Sequence, residues 1–210
     1  FIWLPKDRLT DFDDAHTLFS FGGYILIKRS SEIKFEIHKD LALLLTTSGS
    51  TGSPKLVKIS LKNLKSNANS IAEYLCLDKN ERPVTTLPMN YSFGLSIINS
   101  HLIVGATILF TSKSLMERDF WLFLKEQKAT SISGVPYTFE ILKKLRFFRS
   151  DAPFIKTITQ AGGKLNNELN KEISEYCQKF DKKLFIMYGQ TEATARMSYL
   201  PPELSLSKLG

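Results

Sequence analysis

The chain has 210 residues, of which 43% are apolar and 23% charged, and its 28 lysines and arginines outnumber its 21 aspartates and glutamates to give a net charge of +7. This composition is typical of a soluble globular protein and argues against a disordered chain, a collagen-like repeat or a coiled coil. The longest nearly apolar run, 102–110, is about half of the roughly 20 residues that a membrane-spanning helix needs, so we expect no transmembrane segment.

The positive charges are scattered along the chain rather than collected in one block. A basic balance is compatible with nucleic acid, anionic lipid or phosphorylated substrates. Scattered lysines are also what an ordinary soluble surface carries, and we favour that interpretation. No RNA-recognition or zinc-binding pattern occurs in the sequence, so we expect no nucleic-acid partner.

Two cysteines, Cys76 and Cys177, each fall in an apolar helical pattern. Such positions favour buried free thiols over a disulfide, which predicts a reducing, cytoplasmic compartment. No cluster of cysteines and histidines has the spacing of metal ligands. The chain begins with Phe1 rather than Met, so we expect it to be the central piece of a longer protein.

In chain order, the first 20 residues predict surface segments or the tail of a missing element, and a continuous apolar run at 41–46 predicts a strand buried on both faces. From there, strands alternate with amphipathic helices, the first of which is capped by Ser60. The predicted strands are 24–28, 41–46, 84–87, 106–110, 130–133, 155–159 and 184–187. The predicted helices are 61–75, 93–104, 117–127, 137–145 and 166–180.

This alternation predicts an α/β fold with a mostly parallel sheet covered by helices on both faces. We divide the chain into a leading segment, 1–40, and a core, 41–210. Ligands of open α/β sheets bind at the carboxyl ends of the strands, so polar motifs directly after strands are the candidate binding segments.

The first such motif is a loop of hydroxyl residues and glycines that follows the strand at 41–46. Its glycines let backbone N–H groups converge on an anion, its hydroxyls add donors and its lysine adds a positive charge, which suits a polyphosphate. A flexible linker is the alternative, but linkers rarely join a buried strand to an amphipathic helix. The candidate phosphate-binding residues are Thr47, Ser48, Gly49, Ser50, Thr51, Gly52 and Lys55.

The spacing differs from that of a Walker A loop, because Pro54 separates the second glycine from the lysine and Leu56 stands where a magnesium-binding hydroxyl should be. The segment instead resembles the phosphate-binding signature of the adenylate-forming superfamily, which includes acyl-CoA synthetases and peptide-synthetase adenylation domains. Only Leu56 departs from that signature, where a final glycine is usual. A second match, the Tyr-Gly-Gln-Thr-Glu motif at 188–192, follows the last predicted strand.

The resemblance covers 41–202 and implies part of the large N-terminal, AMP-binding domain of such an enzyme. It implies that Thr191 contacts the α-phosphate of ATP, Glu192 ligates Mg²⁺ and Lys55 holds the outer phosphates, so these three are the candidate catalytic residues. A carboxylate oxygen is a ligand that Mg²⁺ prefers. The further nucleotide-binding residues that it implies are Gly162, Gly163, Lys164, Tyr188 and Gly189.

The same resemblance implies an acid-binding pocket. Its aromatic segment, 88–94, carries Tyr91 where many acyl-CoA synthetases carry histidine. The remaining candidate pocket residues are Phe93, Gly94, Pro136 and Ala161, although Pro136 is also explained as the first residue of a helix.

The implied activity is ATP-dependent conversion of a small carboxylic acid to an acyl adenylate and transfer of the acyl group to a thiol, either coenzyme A or the pantetheine of an acyl carrier protein. No Asp or Glu occurs between Val84 and Met116 to pair with an ammonium group, which favours an acid without an α-amino group. The alternatives are a peptide-synthetase type of domain and a nucleotide- or nucleic-acid-binding module without chemistry. The motifs that family enzymes carry after the Thr-Glu pair are absent from the sequence, so we expect this piece alone to be inactive.

Overall fold

The computed structural model describes residues 1–30, 36–47 and 55–209. Contacts divide the chain into two compact units, Phe1–Lys39 and Asp40–Gly210. The interpretation of these parts as a leading segment and an AMP-binding core stays a prediction. Among the described residues, no helix combines the length and the apolar character needed to cross a membrane.

The first unit contains a three-stranded antiparallel sheet, where the sequence predicted surface segments or the tail of a missing element before residue 20. Strands β1 (Ile2–Pro5), β2 (Ala15–Phe21) and β3 (Tyr24–Arg29) are arranged in the order β1-β3-β2. The buried side chains of this sheet are Leu4, Ile25 and Ile27. The prediction was wrong because β1 has only four residues and six of the seven residues of β2 are exposed, so neither strand carries a clear apolar alternation.

The second unit begins with an antiparallel pair, β4 (Leu41–Thr47) and β5 (Lys55–Ser60). The prediction that this first strand is buried on both faces was wrong. Leu45 is the buried residue of β4, and the neighbouring Leu44 is 43% exposed. An apolar run shows that a strand is favoured, but it does not show whether neighbouring elements cover both faces.

Helix α1 (Leu61–Tyr74) follows β5 directly and confirms the predicted cap. The Ser60 hydroxyl accepts a hydrogen bond from the backbone N–H of Asn63 at 3.1 Å, and the Asn63 side chain accepts one from the Ser60 N–H at 3.1 Å. This reciprocal capping box fixes where the helix begins. Cys76 lies beyond the end of α1 with φ 53° and is exposed, so its predicted burial was wrong, whereas Cys177 is buried as predicted.

The main sheet confirms the α/β prediction. Strands β6 (Ser131–Gly134), β7 (Thr157–Gln160) and β8 (Lys183–Gln190) are parallel, and β9 (Ala195–Leu200), which the sequence analysis missed, adds an antiparallel edge to β8. The predicted strands at 84–87 and 106–110 are reduced to single bridges, Pro83 to Ser131 and Val84 to Leu109. The other helices are α2 (Ser92–Leu102), α3 (Arg118–Glu126), α4 (Pro136–Lys144) and α5 (Asn167–Lys179). The 3₁₀ turns are Lys6–Asp11, Phe147–Arg149, Thr191–Ala193 and Pro202–Leu204.

Helices cover both faces of this sheet, and the alternation of side chains along β8 shows it. Leu184 packs into a cluster with residues of α3, α4 and α5. Phe185 and Met187 pack into a second cluster with residues of α1 and α2. Successive strand residues point to opposite faces, so the two clusters lie on opposite sides of the sheet.

Candidate functional site

A cleft of about 910 Å³ lies where β7 and β8 end. Its lining comes from three segments that the sequence analysis singled out: Tyr91 to Phe93 before and at the start of α2, Gln160 to Lys164 after β7, and Tyr188 to Thr191 at the end of β8. Ala195 and Arg196 of β9 complete the wall on that side. The cleft therefore lies at the carboxyl ends of parallel strands, as the topology predicts.

The Thr-Glu pair lies in the 3₁₀ turn Thr191–Ala193, and Thr191 lines this cleft. The Thr191 hydroxyl donates a hydrogen bond to the Ser92 hydroxyl at 3.2 Å. Glu192 is exposed and directly follows Thr191, but it is not one of the residues that line the cleft. Strands β4 and β5 both contact this turn.

Thr47 and Lys55 are Cα partners at the end of the β4–β5 pair. The two strands that carry them contact the Thr191–Ala193 turn, so the fold brings both ends of the predicted phosphate loop towards the Thr-Glu pair. Lys55 is exposed. The other candidate residues of that loop, Ser48, Gly49, Ser50, Thr51 and Gly52, lie outside the described residues.

The glycine pair after β7 makes a close backbone approach at the floor of the cleft. Gly162 has φ 79°, in the left-handed region that favours glycine. A Cβ atom there would lie 2.6 Å from the Tyr91 hydroxyl oxygen and 2.9 Å from a Val135 methyl carbon. A side chain at Gly162 would displace these groups, so the glycine allows Tyr91 and Val135 to approach the backbone closely.

Gln160, which begins the Gly-Gly segment but is not one of the predicted site residues, holds this glycine turn in place. Its side chain is 1% exposed, and its amide nitrogen donates to the backbone oxygens of Gly163 at 2.7 Å and Ala161 at 3.2 Å. The signal available in the sequence was a polar residue at the end of a strand, two residues before a Gly-Gly pair. Ser92, the partner of Thr191, had no comparable signal.

Only part of the aromatic segment 88–94 lines the cleft. Tyr91 and Phe93 line the cleft and meet edge to face, with ring centroids 6.4 Å apart. Gly94 does not line it, because its Cα faces the Pro88 carbonyl oxygen closely enough to exclude a side chain. Pro136 lies behind the glycine turn, 3.1 Å from the position of a Cβ on Gly163.

The Tyr-Gly pair of the last motif places an aromatic ring at the rim. Tyr188 is 61% exposed and lines the cleft. A Cβ on Gly189 would clash with the Ala195 carbonyl oxygen, so this position requires glycine for β8 and β9 to approach each other. The two strands change register between Tyr188 and Gly189, which is the local kink of a β-bulge.

The cleft is lined by cations and by no described carboxylate. Lys164, Arg196 and Lys208 contribute to its walls, whereas no Asp or Glu among the described residues does. Such a lining attracts anions and disfavours an ammonium group. Within the described part of the chain, no group of three or more His, Cys, Asp or Glu residues could hold a metal ion.

The family described as AMP-binding enzyme matches residues 13–210. The chain belongs to this family. The 2-succinylbenzoate–CoA ligase of Listeria innocua is 30% identical over 80% of this chain and 35% of its own length.

Two solved structures of the o-succinylbenzoate coenzyme A synthetase of Bacillus subtilis share the fold. The complex with ATP and magnesium matches with a TM-score of 0.71 at 29% identity, and the match covers 87% of this chain and 38% of the relative's chain. The complex with an acyl-adenylate intermediate has the same TM-score and identity, and covers 87% and 37%. The chain therefore spans little more than a third of the length of these relatives.

Proposed function

We propose that this chain supplies the nucleotide- and acid-binding part of an enzyme that activates a small carboxylic acid as an acyl adenylate and transfers the acyl group to a thiol. The observation that carries the proposal is that the Thr-Glu turn, the glycine turn after β7 and the aromatic segment converge on one cleft lined by cations. Membership of the AMP-binding family and the ATP complex of the Bacillus subtilis relative support it.

The first half-reaction joins two anions. A carboxylate oxygen of the acid attacks the α-phosphorus of ATP, the bond to the bridging oxygen breaks, and pyrophosphate leaves. The main task of the protein is to hold the two anions together and to offset their charge. In this proposal, the Thr191 hydroxyl donates to the α-phosphate, and Lys55 balances the outer phosphates.

Glu192 suits Mg²⁺ because the ion binds through one or two carboxylates together with phosphate oxygens and water, and does not need an all-protein cage. The exposed position of Glu192 beside the cleft fits that mode of binding. When bound, the ion would neutralise phosphate charge. Among the described residues, no carboxylate lines the cleft itself, and Glu192 directly follows the lining residue Thr191.

We place the adenine base between the glycine turn and the ring of Tyr188. Gly162 and Gly163 expose backbone on one side, with Lys164 directly after them, and the exposed ring of Tyr188 borders the same cleft. Aromatic stacking on a base contributes about 1–3 kcal/mol. Ala161, 5% exposed, packs with Phe93 on the side of the aromatic segment, where we place the acid.

The acid is proposed to lack an α-amino group. An ammonium group in the cleft would meet Lys164, Arg196 and Lys208 and no described carboxylate, and an unpaired buried charge is costly. The two types of relative named above act on or bind succinylbenzoate compounds, which are aromatic acids. We infer an aromatic or aliphatic acid of this general class for the present protein.

The second half-reaction transfers the acyl group to a thiol. The sulfur attacks the acyl carbon, AMP leaves, and the thiol gives up its proton. Coenzyme A is the proposed acceptor, because the Listeria innocua relative is a CoA ligase. The pantetheine of an acyl carrier protein presents the same thiol chemistry and is the second candidate.

Calorimetric titration tests the nucleotide and acid sites without requiring turnover. We expect the 210-residue chain to bind a non-hydrolysable benzoyl-sulfamoyl adenosine more tightly than AMP, and an α-aminoacyl analogue of similar size no better than AMP. Thr191→Val removes one donor to a charged phosphate, so we expect about a tenfold loss of affinity for both AMP and the benzoyl analogue.

The matched control is Thr107→Val, a threonine of unit two outside the cleft lining. It should leave both affinities within about twofold, since it removes no contact to the ligand. Absence of AMP binding by a folded chain would contradict the proposed function. Tighter binding of the aminoacyl analogue would favour the peptide-synthetase alternative instead.

A further inference from the structure

Arg196 is a buried cation with no acidic partner in the described part of the chain. It is 7% exposed and lies on β9, four residues after Glu192. Among the described residues, no Asp or Glu forms an ion pair with it. Since taking a charge out of water is costly, a cation in this position needs compensation from other groups.

Neutral groups of three elements surround the guanidinium. Its Nε donates to the Ser96 hydroxyl of α2 at 3.0 Å, and a terminal nitrogen donates to the Tyr74 hydroxyl of α1 at 3.3 Å. The same nitrogen lies 3.6 Å from the Met187 sulfur of β8. The guanidinium carbon lies 5.0 Å from the centre of the Phe93 ring, which is the geometry of a cation–π contact.

These contacts connect Arg196 to the acid side of the cleft. The Ser96 hydroxyl, which accepts from Arg196, donates to the Phe93 backbone oxygen at 2.7 Å. Phe93 is therefore held by Arg196 through its ring and through Ser96. Phe93 lines the cleft beside Tyr91, so the guanidinium sets the position of the aromatic wall.

The backbone of Arg196 connects to the nucleotide side. Arg196 follows the Thr191–Ala193 turn through Thr194 and Ala195, both of which have positive φ values, 72° and 141°. This short, constrained link transmits the position of β9 to Thr191. The Arg196 backbone oxygen also accepts from the Asn67 side chain of α1 at 3.0 Å, which fixes the strand against that helix.

We propose that Arg196 is a positioning residue. It fixes the position of the aromatic wall, Tyr91 and Phe93, relative to the Thr191–Glu192 turn, so that one ligand can contact both segments at the same time. This inference rests on the proposed function for the identity of the ligand. It rests on geometry alone for the coupling of the two segments.

A purely structural arginine and a positioning arginine differ in what a methionine replacement does. Methionine fills a similar volume without a charge, and replacing buried ions by apolar residues is often neutral for stability. Arg196→Met should therefore leave the midpoint of urea unfolding close to the wild-type value while it releases Phe93 from its cation–π contact. Lysine offers one ammonium in place of a planar fork, so Arg196→Lys should not rescue the effect.

The test measures two dissociation constants in the 210-residue chain, that of AMP and that of benzoyl-sulfamoyl adenosine. Their ratio is the gain in affinity that the acyl part of the ligand provides. We expect Arg196→Met to reduce this gain by about tenfold, because the benzoyl group and the adenylate part of the ligand can no longer make their best contacts at the same time. Lys182→Met is the matched control. The Lys182 side chain is also a buried cation, 3% exposed, but it pairs with Asp151 at 2.8 Å in the part of unit two where α5 ends.

Lys182→Met should leave the gain in affinity within about twofold of the wild-type value. An unchanged gain in Arg196→Met, or the same reduction in both variants, would overturn the proposal. Rescue by Arg196→Lys would also contradict it, since a charge alone would then suffice.

Hydrogen exchange provides a second measurement that does not depend on the ligand. We expect Arg196→Met to accelerate amide exchange by about tenfold or more both in the first turns of α2 and in 191–196, because both segments lose a shared contact. Lys182→Met should accelerate neither. If wild-type protein binds no nucleotide but this exchange pattern holds, the proposed function fails and the positioning by Arg196 stands; if neither segment responds, the positioning proposal fails.

Discussion

At individual positions of this site, close packing against neighbouring backbone restricts which residue type can fit. Gly189 shows this most directly, because a Cβ atom there would overlap the Ala195 carbonyl oxygen of the adjacent strand. Backbone cannot rotate away as the end of a flexible side chain can. The glycine of the Tyr-Gly-Gln-Thr-Glu motif is therefore needed for the β8–β9 contact itself.

We expect Gly189→Ala to lower the free energy of unfolding by about 1–3 kcal/mol, the range of overpacked sites, and to abolish detectable AMP binding because β9 and the Thr191 turn must shift. Urea unfolding and calorimetry measure the two effects. Gly105→Ala is the control: Gly105 has φ 74° but nothing within 4 Å of a Cβ, so only the backbone penalty of about 1 kcal/mol applies. Equal effects in both variants would contradict the steric explanation.

At the residue scale, the sequence predicted which motifs carry chemistry but not which residues support them. Thr191, Glu192, Gly162 and Tyr91 belong to recognisable motifs. Gln160 and Arg196 were not predicted as site residues, because the role of Gln160 depends on its burial and that of Arg196 on partners that are distant along the chain. Arg196 and Ser96 are 100 residues apart and meet only after folding.

Local sequence determined the helical elements well, because a helix is specified by nearby residues. The predicted helix at 61–75 is observed as Leu61–Tyr74, and that at 166–180 as Asn167–Lys179. Short strands were harder to predict. Strand β9 and the bridges at Val84 and Leu109 depend on a partner strand, and apolar periodicity gives no information about that partner.

The capping box of α1 allows a prediction at this scale. We expect Ser60→Ala to destabilise the second unit by about 1 kcal/mol, because one backbone N–H at the start of the helix loses its acceptor. Ser66→Ala, an exposed position inside the same helix, should change stability by less than about 0.5 kcal/mol. Thermal unfolding of both variants tests this, and equal melting temperatures would show that the cap contributes nothing.

The second unit as a whole contains a buried histidine with consequences for its pH dependence. His101 is 3% exposed, and its ring Nδ1 lies 2.8 Å from the Ile97 backbone oxygen. Burial lowers the pKa of His101 from 6.5 to about 4, and the charge of Arg196 contributes in the same direction. His101 is therefore neutral in the folded protein at neutral pH.

The unfolded chain binds a proton at His101 more readily than the folded protein does, so stability is complete well above pH 6.5 and falls as the pH decreases from 6.5 towards 4. Between pH 7.5 and pH 5, the lowered pKa of His101 decreases the free energy of unfolding by about 2 kcal/mol. We expect His101→Asn to remove that part of the pH dependence in urea titrations at the two pH values.

Ser100→Ala controls for packing, because Ser100 is fully buried beside His101 but does not titrate. It should lower stability at both pH values and leave the difference between them unchanged. If His101→Asn kept the full pH dependence of the wild type, a different group would have to be responsible.

The sequence by itself determined the family resemblance, the α/β class and the positions of most helices, because motifs and helical periodicity are local properties of the chain. Only the tertiary structure decided that the first sheet is antiparallel, that β4 is half exposed, and that Gly94 supports the cleft rather than lining it. It also decided that the cleft walls are cationic and that Arg196 links two motifs. These features depend on contacts between residues far apart along the chain, which folding brings together and local patterns do not record.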